Sequence, residues 1–511
     1  MSNYKYNEFI FLGLVLLSFA LLGYLTLDLD HPFGVTTNSR ALYVDGGFYS
    51  DAAQNWSKFG QWSFDYDTRH WPGAPFLSLV RALVFELFGV SLEAARFSSI
   101  ILSLIGLCAF YFILRTDFNV YLSIAILVVS GLMISYVTHA RSALAEPTAT
   151  FFALLAILVF VRLQNRRIAI PLSILLAYLS FLSKLYFLHA LVAIIVLWSS
   201  ELMLLPLFKD HRFDKTSLLI LVLSLVTVAT TFLVYTSHFK NEIEAFISLN
   251  PGKTPSLNPI IIAESIIRSN KLLCQFTKTH LFVSAICAGL IYIVVSLLFR
   301  GRLVNNTGVL SSFGRAEYAM LVWLVIGLTI IGVVRQNKAH YLFFSILPIC
   351  YLGVSSIKLL IPKNTHSLLI TVFLIFVGLT QIPYYHQWMT RPQKTALVDT
   401  SRAVAKTIEM DSTINIIPVI GEFSAQLALY SKRILSLDAK WGSVPPMPFC
   451  KRLDYWRPKY HVNVIWPNSR SSRMIQEFYK CQIVNNMQEM ERYSVFSPWN
   501  DEIVLTKIHY H

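Results

Sequence analysis

The residues best suited to chemistry fall in one stretch, residues 44–87, which closes on an apolar run from Pro75 and is set between two segments apolar enough to enter a membrane. It opens with Asp45 and Asp51, spaced by small and aromatic residues, and continues to Thr68-Arg69-His70-Trp71-Pro72-Gly73. A carboxylate beside low-dielectric lipid can have its pKa raised, which suits it to take a proton as a general base. Asp45 stands about where the chain leaves the membrane and is the first candidate for that role. An Asp ahead of Gly46-Gly47 also suits a turn or a helix cap, and the spacing leaves both readings open. Asp51 cannot closely share a helix face with Asp45, so it reads as a solvated acid or as support for the first carboxylate. Arg69 and His70, held before a rigid turn, can bind a phosphate or a sugar hydroxyl. A loop at headgroup level, anchored by Trp71, is the alternative.

These residues must be positioned by a membrane scaffold. Of the 511 residues, 55% are hydrophobic and only 14% are charged, the balance of a polytopic membrane protein rather than a soluble enzyme. The net charge of +14 does not point to nucleic acid, because the cations after Tyr384 are mixed with acids and form no basic run. A hydrocarbon core needs about 20 apolar residues per helix. Eleven segments approach that length: 9–27, 97–114, 120–137, 144–161, 168–182, 185–205, 218–235, 281–299, 319–334, 342–357 and 368–382. The first lacks a small-residue cleavage site and reads as a retained helix, not a signal peptide. With the N-terminus cytoplasmic, Lys and Arg are denser in the inside loops, as the positive-inside rule requires. The long loops 28–96 and 236–280 then lie outside, and so does the tail. Isoleucines at 260–262 and 266–267 suit an amphipathic lid on the membrane surface.

Some cations break this charge pattern. Arg141 and Glu146 flank the start of the fourth span, and Lys184 lies between the fifth and sixth. Arg335, Lys338 and His340 lie between the ninth and tenth. A cation at the outer end of a bundle is expected to have an anionic partner. A lipid-linked phosphate is one such partner, and headgroups or Glu146 are others.

The chain divides at residue 383 into a membrane domain (1–383) and a hydrophilic tail (384–511). In the tail, residues 413–420, 433–438, 462–466 and 503–506 read as strands, and 394–410, 423–430 and 472–479 as helices. Such alternation indicates a small extracytoplasmic α/β domain. Cys450 and Cys481 are its only cysteines and can pair if the tail is outside. No GxGxxG, P-loop or metal-ligand spacing is evident.

Several of these pieces together resemble the GT-C glycosyltransferases, in particular the protein mannosyltransferase and lipid A aminoarabinose transferase branch. The resemblance rests on Asp45-Gly-Gly-Phe-Tyr49-Ser-Asp-Ala52, on His70-Trp-Pro72, and on Phe88-Gly-Val-Ser-Leu-Glu-Ala-Ala-Arg96 entering the second span. Further pieces are Arg141-Ser-Ala-Leu-Ala-Glu146-Pro147, Tyr341-Leu-Phe-Phe-Ser-Ile-Leu-Pro348 and Gly421-Glu-Phe-Ser-Ala-Gln-Leu-Ala-Leu-Tyr430. Many relatives carry Asp-Glu where this chain has Asp45-Gly46, and many have thirteen spans against the eleven counted here. Asp51 or Glu146 would have to supply the second acid, unless one carboxylate suffices.

The resemblance implies a bacterial inner-membrane enzyme that moves a sugar from a polyprenyl-phosphate donor to a glycan, lipid or protein acceptor, with inversion. Asp45 would take the acceptor proton, and Lys184, Arg335 and Lys338 would hold the donor phosphate. Asp51, Arg69, His70, Arg141, Glu146, His340 and Tyr341 would line or support the site. No cofactor or metal is implied if the cations stabilise the leaving phosphate. The rival reading is a transporter or flippase of a lipid-linked sugar, which would place charges deep within broken helices.

Overall fold

The computed structural model describes residues 2–30, 45–62, 74–204, 214–238, 264, 314–333, 343–360, 366–390, 395–421, 423–437, 449–465, 480–481, 483–494 and 502–511. The N-terminal part is a helical bundle. Its first helix, α1 (Ser2–Leu25), is followed by three helices of the opening loop: α2 (Asp45–Phe48), α3 (Asp51–Phe59) and α4 (Pro75–Phe88). The bundle continues with α5 (Leu92–Asp117), α6 (Val120–Leu132), α7 (Ile134–Ala140), α8 (Glu146–Arg162), α9 (Arg166–Ser183) and α10 (Leu188–Ser199). It closes with α11 (Lys215–His238), α12 (Arg315–Val333), α13 (Ile346–Leu360) and α14 (His366–Thr390). Ten of the eleven expected spans fall on these helices, and the segment 281–299 lies outside the described residues. Among the described residues five helices are long and apolar enough to cross a membrane, or six if α6 and α7 count as one bent span. The expected lid also lies outside the described residues, apart from Glu264.

Local chemistry sets the helix ends. Ser91 accepts from the Ala94 amide at 3.0 Å and starts α5, whose first turn carries Glu93 and whose last turn carries Arg115, the charge order that suits the helix dipole. Asn119 caps α6 in the same way, accepting from Leu122 at 2.9 Å. Pro75 and Pro147 stand in the first turns of α4 and α8, where their missing N–H costs nothing.

The segment 120–137 is not the continuous span its composition predicts. α6 and α7 meet at Met133 with a bend of 69°. The bend frees a backbone N–H, and the Gln381 side chain of α14 accepts it from Ile134 at 3.2 Å. A break inside an apolar bundle is tolerable only with such a partner. All of α7 is buried. Residues 138–143, between the third and fourth expected spans, are likewise packed inside the protein.

The tail opens with α15 (Ala396–Asp411) and forms a five-stranded sheet in the order β2-β1-β3-β5-β4. β1 (Ile417–Ile420) pairs in parallel with β2 (Ile434–Leu437) and β3 (Tyr460–Ile465). β5 (Glu502–Tyr510) runs antiparallel to both β3 and β4 (Val484–Ser494). Four of these strands match the sequence expectation. β4 escaped it because it is an edge strand rich in Glu489, Glu491 and Arg492, charges that protect an edge and blur the apolar alternation. The expected helix at 472–479 lies outside the described residues, whereas α16 (Phe449–Trp456) was not anticipated. Cys450 and Cys481 form a disulfide.

The tail shares its core with the bundle. Leu144, from the turn between α7 and α8, is buried in a cluster with Leu397, Ile408, Ile417, Phe423 and Leu427 of the tail. A second cluster joins Ala53, Phe85, Leu92 and Ala143 to Val398 and Leu429.

Candidate active site

The opening loop reaches the junction of bundle and tail through two short helices. α2 begins at Asp45, and its end is tied by Ser50 Oγ donating to the Gly46 carbonyl at 2.7 Å. α3 ends at Gly60, whose φ of 71° is left-handed and which closes the helix on the Trp56 carbonyl. Asp51 opens α3 and is buried, at 3% exposure, so the reading of it as a solvated acid is corrected. Asn55 approaches its carboxylate at 3.5 Å.

A charged cluster lies beneath this loop. The Lys184 ammonium, in the residue that ends α9, donates to Glu146 Oε1 and to the Tyr49 hydroxyl, both at 2.7 Å. The Lys184 and Glu146 side chains are only 4% and 0% exposed. Of the anionic partners open to Lys184 in the sequence, the structure supplies Glu146. Arg81 joins the same neighbourhood from α4. It is fully buried, donating to Ser50 Oγ at 3.0 Å and to the Leu144 carbonyl at 3.2 Å. Burial pulls its guanidinium down to about 9, against the attraction of Tyr49 and Glu146, which leaves it charged at neutral pH.

Arg141 plays a different part from the one its sequence position suggested. Its guanidinium donates to the carbonyls of Thr26 (2.8 Å), Leu29 (2.7 Å) and Asp30 (3.1 Å), and it stacks over Trp388 at 4.7 Å. Arg96, the last residue of the motif entering α5, donates to Leu27 and Leu29. Both cations thus lie against the carbonyls that follow α1, where positive charge is favoured. The Asp30 carboxylate then accepts from the Leu397 amide at 2.8 Å and the Val398 amide at 3.3 Å, capping the start of α15. This chain of contacts ties the end of α1 to the tail.

Of the residues singled out in the sequence, Lys184, Glu146 and the backbone of Asp45 are brought to one end of the bundle, with Asp51 in the adjoining helix. Arg69, His70, Arg335, Lys338, His340 and Tyr341 lie outside the described residues, and the Asp45 side chain is not described. Sequence reading did not single out Arg81, Gln54 or Gln426. The only signal for Arg81 was its place as the one cation on α4, whose only other charge is Glu86. Gln54 and Gln426 carried none, being uncharged amides in helical stretches.

The tail reaches this loop directly. The Gly47 amide donates to Gln426 Oε1 at 3.1 Å, and Gln54 Nε2 approaches the Ala425 carbonyl at 3.3 Å. Lys58 of α3 donates to the Ala428 carbonyl. Although the Lys58 residue as a whole is half-exposed, burial of its ammonium brings the pKa down to about 7, opposed by Asp51 and Glu409.

No protein-family profile matches the chain, and no curated protein matches it. Solved structures do. ArnT from Cupriavidus metallidurans, in the apo state, aligns over 96% of this chain and 97% of its own, with a TM-score of 0.54 and 14% identity. The same protein bound to undecaprenyl phosphate aligns over the same shares, with a TM-score of 0.55 and 13% identity. At such identity the likeness is one of fold, and it runs the length of both chains. The chain is a mostly helical protein with several apolar helices and an α/β tail, and it shares the fold of ArnT.

Proposed function

We propose that this chain is an inverting glycosyltransferase that moves a sugar from a polyprenyl-phosphate donor to an acceptor hydroxyl or amine on the outer face of the membrane. The observation that carries the reading is the buried Lys184–Glu146 pair with the Tyr49 hydroxyl on its ammonium, Tyr49 standing four residues after Asp45. Buried charge at the end of an apolar bundle is costly and is expected where an ionic substrate is handled. The undecaprenyl phosphate bound by ArnT makes a lipid phosphate the natural anion. The Cys450–Cys481 disulfide supports an oxidising compartment for the tail.

In this reading the acceptor oxygen or nitrogen bonds to the anomeric carbon as the bond from that carbon to phosphate oxygen breaks, on the opposite face. Asp45 takes the acceptor proton, and the polyprenyl phosphate leaves with its negative charge. Lys184, with Arg335 and Lys338 assigned on sequence grounds, stabilises that charge, and pre-placed cations are usually the largest catalytic term. Fully buried Arg81 adds positive potential at the same end. The acceptor is a glycan, lipid or protein.

The test is Asp45→Asn, which keeps size but cannot take a proton at neutral pH. Transfer should fall by about 10²–10⁴-fold, while binding of undecaprenyl phosphate stays as in the wild type, because binding and chemistry use different groups. Transfer within about threefold of wild type, far short of the range for general-base catalysis, moves the base to Asp51 or Glu146.

A further inference from the structure

Gly47 lies two residues after Asp45, and the tail comes unusually close to it. A methyl group built on Gly47 would stand 2.4 Å from both the Ala425 carbonyl carbon and the Gln426 nitrogen, a distance no side chain tolerates. Gly47 has no left-handed backbone, so glycine is required here by the approach of another backbone, not by conformation. On that contact converge three hydrogen bonds. Gln426 Oε1 accepts from the Gly47 amide at 3.1 Å. Gln54 Nε2 bridges the Gly47 carbonyl at 3.4 Å and the Ala425 carbonyl at 3.3 Å. Gln54 and Gln426 are 1% and 5% exposed, so water does not compete for these bonds.

Gln426 also meets Gly46, whose own missing Cβ would lie 3.4 Å from Ala143 Cβ and 3.6 Å from Gln426 Oε1. Gly46, Ala143, Leu144, Val398 and Gln426 line a cleft of about 20 Å³, room for one water. The backbone beside Asp45 is therefore fixed from two sides, by the turn between α7 and α8 and by the tail.

We propose that Gln426 is a positioning residue for Asp45: the tail completes the catalytic end of the bundle by holding α2 through the Gly47 amide. The proposal rests on Asp45 being the base. It gives the tail a part in the chemistry of every acceptor. A buried amide oxygen suits the task because it accepts the Gly47 N–H without adding charge two residues from the proposed base.

The variants are Gln426→Leu, which removes the acceptor at similar size, Gln426→Glu, which keeps an acceptor oxygen, and Gly47→Ala, which forces the two backbones apart. Activity is read as free undecaprenyl phosphate released from a panel of undecaprenyl-phosphate-linked pentoses and hexoses, with envelope lipids and glycans as the acceptor pool. Undecaprenyl phosphate itself is the binding probe. Gln426→Leu should lower turnover at least tenfold with probe binding unchanged. It should add no more than a twofold loss in an Asp45→Asn background, because both changes act on the same step. Gln426→Glu should restore most of the rate but move the acid limb of the pH–rate profile upward, since a negative charge added on the Gly47 amide disfavours a second charge on the proposed base two residues away. Gly47→Ala should resemble Gln426→Leu.

Hydrogen exchange supplies a readout independent of turnover. Exchange of residues 45–50 should quicken about fivefold to tenfold in Gln426→Leu, the worth of one buried hydrogen bond, while β1 and β3 stay protected. Unchanged exchange at 45–50 overturns the proposal whatever the rates are. Full turnover in Gln426→Leu, with Asp45→Asn inactive, overturns the positioning role and leaves the base assignment standing. An active Asp45→Asn overturns both.

Discussion

The Lys184–Glu146 pair allows stability and donor binding to be separated. At 2.7 Å and an effective dielectric of about 20, the Coulomb attraction is roughly 6 kcal/mol, most of which offsets the cost of burying the two charges. Removing one partner leaves the other charge uncompensated, which costs about 3–5 kcal/mol. Lys184→Met should therefore lose about that much stability, measured by unfolding with increasing sodium dodecyl sulfate in mixed micelles. Glu146→Leu combined with Lys184→Met replaces both charges by apolar groups and should return to within about 1 kcal/mol of wild type, or exceed it. Undecaprenyl phosphate binding should not recover in the double variant. If Lys184 meets phosphate with a charged hydrogen bond, affinity stays lower by about 1.5–3 kcal/mol. A double variant as unstable as the single one would show that the pair is not what holds this end of the bundle. A double variant that binds undecaprenyl phosphate like the wild type would remove the phosphate role of Lys184.

Two further outcomes can be checked. A reporter active only outside the cytoplasm, fused after His511, should score positive; activity of a cytoplasm-only reporter there would reverse the orientation and place the site on the other face. His461, buried in β3, has its pKa pulled down to about 4 by burial, so the unfolded chain binds the proton more readily. Stability should be unaffected above about pH 6.5 and should fall as pH drops from there through 4, by about 3 kcal/mol in all. Thermal melts across that range should show the loss, and His461→Phe should flatten it.

What the sequence revealed was what composition and period encode. Apolar runs marked ten helices, and β-branched runs marked four strands. The lone pair Cys450 and Cys481 offered the disulfide that forms. The break at Met133 was invisible because its compensation, Gln381, sits in a helix nearly 250 residues later. The role of Arg141 was hidden for a similar reason: its partners are main-chain carbonyls, which leave no trace in side-chain pattern. Glu146 could be named as a partner for Lys184, but Arg81 and Gln426 could not be placed, because nothing local distinguishes a buried amide or guanidinium from a solvated one. Of the two readings open for Asp51, its burial removes the solvated one, which the sequence could not decide because burial of a carboxylate depends on which surfaces close over it.

Leu144 inside the tail's core and Asp30 on the first turn of α15 have a consequence for how the protein is made. Chains emerge N-terminus first at about 5–20 residues per second, so the bundle is synthesised before the part that packs against its end. Until the final strand, β5, takes its place between β3 and β4, Leu144 lacks its finished apolar surroundings. An unfinished chain thus has its helical bundle but not the tail that packs against one end of it. Cutting the tail away would take from Leu144 the apolar side chains that bury it and from Asp30 the two amides it accepts.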